Sequence, residues 1–131
     1  MMETSDIRAS LERLLDVRGV VSVAVAGADG SLVEGLALGD EDLASLQELV
    51  PTALASSQAL GALIGEGPVE QSLVEYAEGP VLMAPIEADA AEGEGHVLVV
   101  GLANVNDLGR VRFQLKRLLP SLAGGLRGRP G

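Results

Sequence analysis

The sequence contains no cysteine and no tryptophan, and its aromatic side chains are limited to Tyr76 and Phe113. Disulfide bonds are therefore excluded as a support for the fold. Proteins that stack nucleic-acid bases need several aromatic rings, so this function is disfavoured. Because hydrophobic residues make up 47% of the 131 residues, the core has to be built from aliphatic side chains. A chain of this length suits a single domain.

Motifs for nucleotide binding and for enzyme chemistry are also missing. The glycine pairs at 65–67 and 93–95 do not extend into a dinucleotide fingerprint, and no Gly-x-x-x-x-Gly-Lys-Ser/Thr phosphate loop occurs. His96 has no cysteine or second histidine with which to hold a transition metal, so we interpret it as structural or solvent-facing. The acidic segment 87–94 lacks the ligand spacing of a calcium loop and is interpreted as a solvated linker. We predict no catalytic residue, no cofactor and no metal site.

The charge is strongly negative and unevenly distributed, with a formal net charge of −10. Residues 1–107 hold all 19 acids and three arginines, giving −16, whereas residues 108–131 hold six basic residues and no acid, giving +6. The overall charge disfavours a nucleic-acid partner, because phosphate binding depends on lysine and arginine. The basic C-terminal part has two interpretations. It either contacts an acidic partner or lipid headgroups, or it balances a helix C-terminus and the protein's own acids.

No targeting or membrane-spanning segment is recognised. The first residues lead into an amphipathic helix rather than into the long apolar run of a secretory signal. No apolar run approaches the roughly 18 residues needed to cross a bilayer. We therefore expect a cytoplasmic protein.

The first half of the chain predicts a helix, a hairpin and a long helix. Ile7, Leu11 and Leu14 recur at helical spacing, and a valine-rich strand starting at residue 21 turns at Asp29-Gly30 into a second strand. The long helix is predicted to begin at Asp40, and Pro51 is expected to kink or divide it.

The second half predicts three strands and a last helix. The strands cover residues 69–76, 81–84 and 96–102, and the last of them is nearly all apolar, which is typical of a central strand. An apolar stripe predicts a helix from residue 108 to 122. We expect one domain over residues 1–122 and a flexible basic tail over residues 123–131.

This order of elements, with the Val-rich strand ending in Asp29-Gly30 and the motif Asn104-x-x-x-Leu108-Gly109-x-Val111-Arg112, resembles the roadblock / dynein light chain family. The likeness spans about residues 5–120. It implies an α+β fold in the order helix-strand-strand-helix-strand-strand-strand-helix. In that fold, a five-stranded antiparallel sheet lies between one long helix on one face and two terminal helices on the other.

The resemblance also implies a homodimer, since members of the family usually pair their third strands into one continuous sheet. Gln71, Leu73 and Glu75 would then lie near the dimer seam. Small side chains beyond Pro51, among them Ala55 and Ala59, would let the long helices of two copies approach closely.

Two functions remain open at this point. Bacterial relatives act on Ras-like GTPases, as activators of hydrolysis or as docking platforms, so the first hypothesis is a regulator that binds such a GTPase across the paired long helices. Its candidate contacts are Asp42, Glu48, Ser56 and Gln58. The alternative is a structural dimerisation module that holds a larger assembly together without any dependence on nucleotide. Neither hypothesis makes the chain itself an enzyme.

Overall fold

The computed structural model describes residues 3–38, 40–65, 69–77, 79–87 and 95–127. Its elements are α1 (Glu3–Leu15), β1 (Val20–Gly27), β2 (Leu32–Leu36), α2 (Asp40–Ile64), β3 (Ser72–Tyr76), β4 (Gly79–Pro85), β5 (His96–Leu102) and α3 (Leu108–Arg127). A short 3-10 turn, Val105–Asp107, leads into α3. The predicted order of elements and the predicted α+β class are confirmed.

The five strands form one antiparallel sheet in the order β2-β1-β5-β4-β3. The apolar strand β5 is in the middle, as its composition predicts, because a strand covered on both faces needs apolar residues at every position. β2 and β3 are the two edges. Among the described residues β3 pairs with β4 alone, so its other side leaves backbone hydrogen-bonding groups open to a further strand.

Alternate residues of the central strands face two separate layers of the core. Leu98 and Val100 belong to the larger cluster, which is built with α1 and α3. Val97 and Val99 belong to the smaller cluster, into which α2 inserts Val50. The period of two along each strand therefore places the paired terminal helices on one face and the long helix on the other, as the resemblance implies.

The terminal helices are held by their apolar stripes. Ile7, Leu11 and Leu14 of α1 are almost completely buried, and so are Val111 and Leu115 of α3. Their spacing of three and four residues puts each set on one side of its helix. This face holds most of the buried apolar surface, which is the main source of stability for a chain without disulfides.

The prediction of a flexible tail from residue 123 is wrong for residues 123–127. Helix α3 continues to Arg127 through Pro120, which is exposed. The apolar stripe extends one turn beyond its predicted end, because Leu122, Ala123 and Leu126 are all buried in the α1/α3 layer. Burial of these side chains outweighs the low helix propensity of the intervening glycines. Residues 128–131 are outside the described part of the chain.

Two further boundaries differ from the sequence-based expectation. Helix α2 runs through Pro51 as one helix and is not divided, and Val50 and Leu54 on either side of the proline are both buried. Packing of both halves on the sheet therefore keeps the helix continuous, although proline removes one backbone donor. Strand β3 begins at Ser72 rather than at residue 69. Most of the acidic segment, residues 88–94, lies outside the described residues.

The turn between β1 and β2 is closed by a carboxylate. One oxygen of Asp29 accepts a hydrogen bond from the backbone N–H of Ser31 at 3.0 Å and another from its hydroxyl at 2.8 Å. Gly30 provides the positive φ of 95° that the turn requires. The two hydrogen bonds from Ser31 favour the ionised form and lower the pKa of Asp29 below its ordinary value of 3.8.

Substituting Ser31→Ala is therefore expected to raise the pKa of Asp29 part of the way back, because the hydroxyl is lost and the backbone donor stays. A lowered pKa stabilises the folded state above the ordinary value of 3.8, and this contribution disappears as the pH falls through the folded pKa. A carbon-detected NMR titration of the Asp29 carboxyl group in both proteins measures the difference. An unchanged midpoint in the variant would show that the hydroxyl contributes nothing.

Candidate protein-interaction site

Helix α2 has apolar side chains on its exposed sides as well as on the side that packs against the sheet. Val50 and Leu54 pack on the sheet, whereas Leu49, Leu60, Leu63 and Ile64 are exposed, with Leu63 at 82%. Leu49 and Leu60 are separated by about three helical turns, so they lie on nearly the same side of the helix. A helix that is apolar around most of its circumference is normally covered on several sides.

The edge strand β3 continues this apolar surface. The hydroxyl groups of Ser57 in α2 and Ser72 at the start of β3 are 3.3 Å apart, which puts the C-terminal half of α2 beside this edge. Val74 is on the same sheet face as Ser72 and is 42% exposed. We refer to these exposed side chains together as the α2–β3 surface: Leu49, Leu60, Leu63, Ile64 and Val74.

The three residues that the resemblance assigns to the dimer seam lie along β3, on the face opposite to α2. Leu73 pairs with Leu82 and packs against the larger core cluster. The Gln71 side-chain oxygen accepts a hydrogen bond from Nε of Arg112 at 3.0 Å. Glu75 is exposed at the open edge. Gln71, immediately before β3, and Leu73 and Glu75 within it therefore share one sheet face, whereas the exposed apolar side chain of this strand, Val74, is on the other face.

The residues predicted on α2 are spread around the helix. Ala55, Ala59 and Glu48 are exposed and lie on the side directed away from the sheet. Ser56 is exposed on the flank that carries Leu60. Gln58 is half-buried on the opposite flank, so α2 does not bring Ser56 and Gln58 onto one surface. The side chain of Asp42 is outside the described part of the structure.

Sequence reasoning identified the small residues of α2 but missed the exposed leucines. Leu60 and Leu63 fit an apolar helical pattern, and by that pattern alone they are indistinguishable from core positions. The sequence does carry one signal for the exposed leucines, which is the large number of apolar positions in α2. For example, Leu49 and Val50 are adjacent and therefore point in different directions from the helix. A single sheet face cannot cover both.

His96 has a structural role at the start of β5. Its backbone N–H donates to one carboxylate oxygen of Glu87 at 2.7 Å, and its Nδ1 lies 2.7 Å from the other. The pair joins the end of β4 to β5, next to the backbone hydrogen bond from Ile86 to His96. Among the residues with described side chains, no group of three or more metal-binding side chains converges on one point.

In the described part of the chain, no helix is both long enough and apolar enough to cross a membrane.

A family model described as "Roadblock/LC7 domain" matches residues 7–101. Two curated proteins of Methanocaldococcus jannaschii, the uncharacterized proteins MJ0310 and MJ1340, are each 32% identical to this chain over 107 residues. Each alignment covers 82% of this chain and 88% of the relative.

Solved structures with the same fold include two proteins named MglB. Myxococcus xanthus MglB has a TM-score of 0.82 and 25% sequence identity, and the match covers 97% of this chain and 92% of that one. The gliding protein MglB of Thermus thermophilus has a TM-score of 0.83 and 21% identity, covering 98% and 94%. The fold match therefore includes α3, which lies beyond the segment that the family model covers.

Proposed function

Because the chain belongs to the Roadblock/LC7 domain family, we propose that it is a homodimeric regulator or docking platform for a small Ras-like GTPase and has no catalytic activity of its own. The observation that carries this proposal is the α2–β3 surface. It combines an unpaired strand edge with exposed leucines on the neighbouring long helix, and both features favour a second copy of the chain. The proposed setting is the cytoplasm.

In the proposed dimer, β3 of one protomer pairs with β3 of the other, so that two sheets become one. Gln71, Leu73 and Glu75 would follow the seam. The two α2 helices would then lie side by side on the same face, where Leu60 and Leu63 become buried. Ala55 and Ala59 complete the proposed interface; they lie on the side of α2 directed away from the sheet, next to the flank that carries Leu60, where their small side chains would leave room for the partner helix.

The GTPase is proposed to bind across the outer sides of the paired α2 helices. Glu48 lies there, with its side chain exposed. Asp42, Ser56 and Gln58 complete the proposed set, and we assign Gln58, which is half-buried on the flank opposite to Ser56, to the rim of this contact. Family members are understood to reshape the bound GTPase, so no arginine of this chain is assigned to GTP hydrolysis.

Reversing one charge tests this assignment. Glu48→Lys is expected to weaken binding of a small Ras-like GTPase from the same organism by about tenfold, the effect of turning one rim attraction into a repulsion. The dimer should persist, because Glu48 is exposed and lies about two helical turns before Ala55 and about three before Leu60. Biolayer interferometry with the GTPase loaded either with GDP or with a non-hydrolysable GTP analogue measures the change. Size-exclusion chromatography with light scattering reports the oligomeric state.

Asp16→Lys is the matched control, because Asp16 is an exposed acid immediately after α1 on the other side of the sheet. If both reversals weaken binding equally, the effect is general electrostatics and the α2 assignment is wrong. Binding that depends on the GTP analogue supports a nucleotide-sensing regulator. A partner recovered equally with GDP and with the analogue would favour the alternative, a structural dimerisation module.

A further inference from the structure

A groove lies on the other face of the molecule, between the N-terminal half of α3 and the residues that lead into β3. It encloses about 540 Å³ and is lined by Glu70, Gln71, Gly109, Arg112, Phe113 and Lys116. Nothing occupies the space above Gly109, because a Cβ atom built there would contact no other atom within 4 Å among the residues described. The groove is on the α1/α3 side of the sheet and is thus separate from the surface assigned to the GTPase.

An aromatic ring forms one wall of this groove. Phe113 is 59% exposed, although the chain has only one other aromatic residue. The guanidinium carbon of Arg117 lies 5.7 Å from the centre of the Phe113 ring, within the range of a cation–π contact. This contact favours the position of the ring in the groove. An exposed aromatic side chain in a concave setting is typical of the anchor points at protein interfaces.

The positions of Arg112 and Lys116 within α3 do not explain why these two groove residues are basic. Arg112 and Lys116 lie in the first half of α3, and Lys116 is about three helical turns from the end of the helix at Arg127, beyond the last turn in which the helix dipole favours positive charge. Within the described part of the chain neither of them forms an ion pair, whereas Arg110 pairs with Asp107 and Arg8 pairs with Glu34. The interpretation of these charges as compensation for a helix C-terminus therefore fails for Arg112 and Lys116.

We propose that this groove binds a short acidic peptide segment of a partner protein. An aliphatic side chain of the peptide would pack on Phe113 above Gly109, and its carboxylates would pair with Arg112 and Lys116. The hydrogen bond from Nε of Arg112 to Gln71 orients the guanidinium group and leaves its two terminal nitrogens available to a carboxylate of the peptide. Glu70 also lines the groove, and its carboxylate would repel the acidic groups of the peptide from that wall, which favours their placement at Arg112 and Lys116.

The charge distribution favours a peptide over an anionic membrane. A short peptide touches only the basic face, and charges farther away than about 8 Å are screened at physiological ionic strength. A membrane surface would also face much of the remaining molecule, and residues 1–107 carry a formal charge of −16. The groove is also concave, which suits an inserted side chain better than a flat lipid surface. This inference is independent of the proposed GTPase.

The test uses a fluorescein-labelled peptide of aspartate and glutamate residues around two central leucines, with the whole chain as the receptor. We expect binding in the micromolar range, weakening as the salt concentration rises. Amide NMR signals of Gly109, Arg112, Phe113 and Lys116 should shift during the titration. A peptide with lysine in place of every acid should not bind. Absence of binding up to about 1 mM, or equal binding of the lysine peptide, would overturn the proposal.

Matched variants locate the site. Phe113→Ala and Lys116→Glu are each expected to weaken peptide binding by about tenfold, a typical loss at an interface anchor. Arg18→Glu makes the same charge change as Lys116→Glu at an exposed residue that does not line the groove, and it should have a much smaller effect. Gly109→Leu should fill the groove and weaken peptide binding, and Gly109→Ala should fill it only partly and weaken binding less. Equal effects of Lys116→Glu and Arg18→Glu would overturn the proposal. So would tight binding to anionic phospholipid vesicles when the peptide does not bind.

Discussion

Replacing Leu60 and Leu63 together by aspartate is expected to convert the proposed homodimer into a folded monomer. Both side chains are exposed in the single chain, Leu63 at 82%, so the substitutions remove no packing inside the protomer. In the dimer each leucine would lose water-exposed apolar area, and burial of one such side chain is worth roughly 1.5–3 kcal/mol. Two aspartates would add the cost of removing carboxylates from water.

The dimer dissociation constant should therefore rise by more than about hundredfold, corresponding to roughly 3 kcal/mol. Light scattering behind size-exclusion chromatography, repeated across a dilution series, gives the mass at each concentration. Circular dichroism shows whether the protomer stays folded. Phe113→Asp is the matched control, since Phe113 is a similarly exposed apolar residue on the opposite side of the sheet. If the double variant stays dimeric, or if the control dissociates as well, then the α2–β3 surface is not the dimer interface.

Most of the fold follows from local patterns in the sequence. The period of the apolar residues distinguishes helices from strands, and the uninterrupted run in His96–Leu102 correctly predicts a central strand. Asp29 and Gly30 mark the hairpin turn because their chemistry suits a tight turn. These features depend on neighbours in sequence, which is why they can be read without a structure. The end of α3 could not be read in this way, because the burial of Leu126 depends on tertiary packing.

The candidate sites were only partly predictable, because they depend on residues that are distant in sequence. Gln71 and Arg112 meet across the groove, and no local pattern connects them. Leu60 and Leu63 look like core residues until the sheet shows how much of α2 it covers. The sequence does reveal that the C-terminal part is basic, but it does not show that Arg112 and Lys116 line a groove together with the residues that precede β3.

Gly79 is the position where one added methyl group should do the most damage to the fold. It starts β4 with a φ of 142°, a backbone conformation that side chains disfavour. A Cβ atom there would collide with the carbonyl oxygen of Leu102 and approach that of Ala103 to 3.1 Å. Both contacts are with backbone, which cannot move aside as a flexible side chain can. Gly79→Ala is therefore expected to lower the free energy of unfolding by about 3 kcal/mol.

Urea denaturation at a fixed protein concentration measures this loss, and Gly109→Ala provides the matched comparison. At Gly109 the same methyl group meets open space inside a helix, so stability should be unchanged or higher by up to about 1 kcal/mol. The strain at Gly79 should also reach the dimer, because in the described part of the chain β3 is paired with β4 alone, and Gly79 pairs with Tyr76. Faster amide hydrogen exchange at Val74 and weaker dimerisation are therefore expected for Gly79→Ala and not for Gly109→Ala. Equal stability of the two variants would show that the chain relaxes around Gly79, and the dimer would then be unaffected.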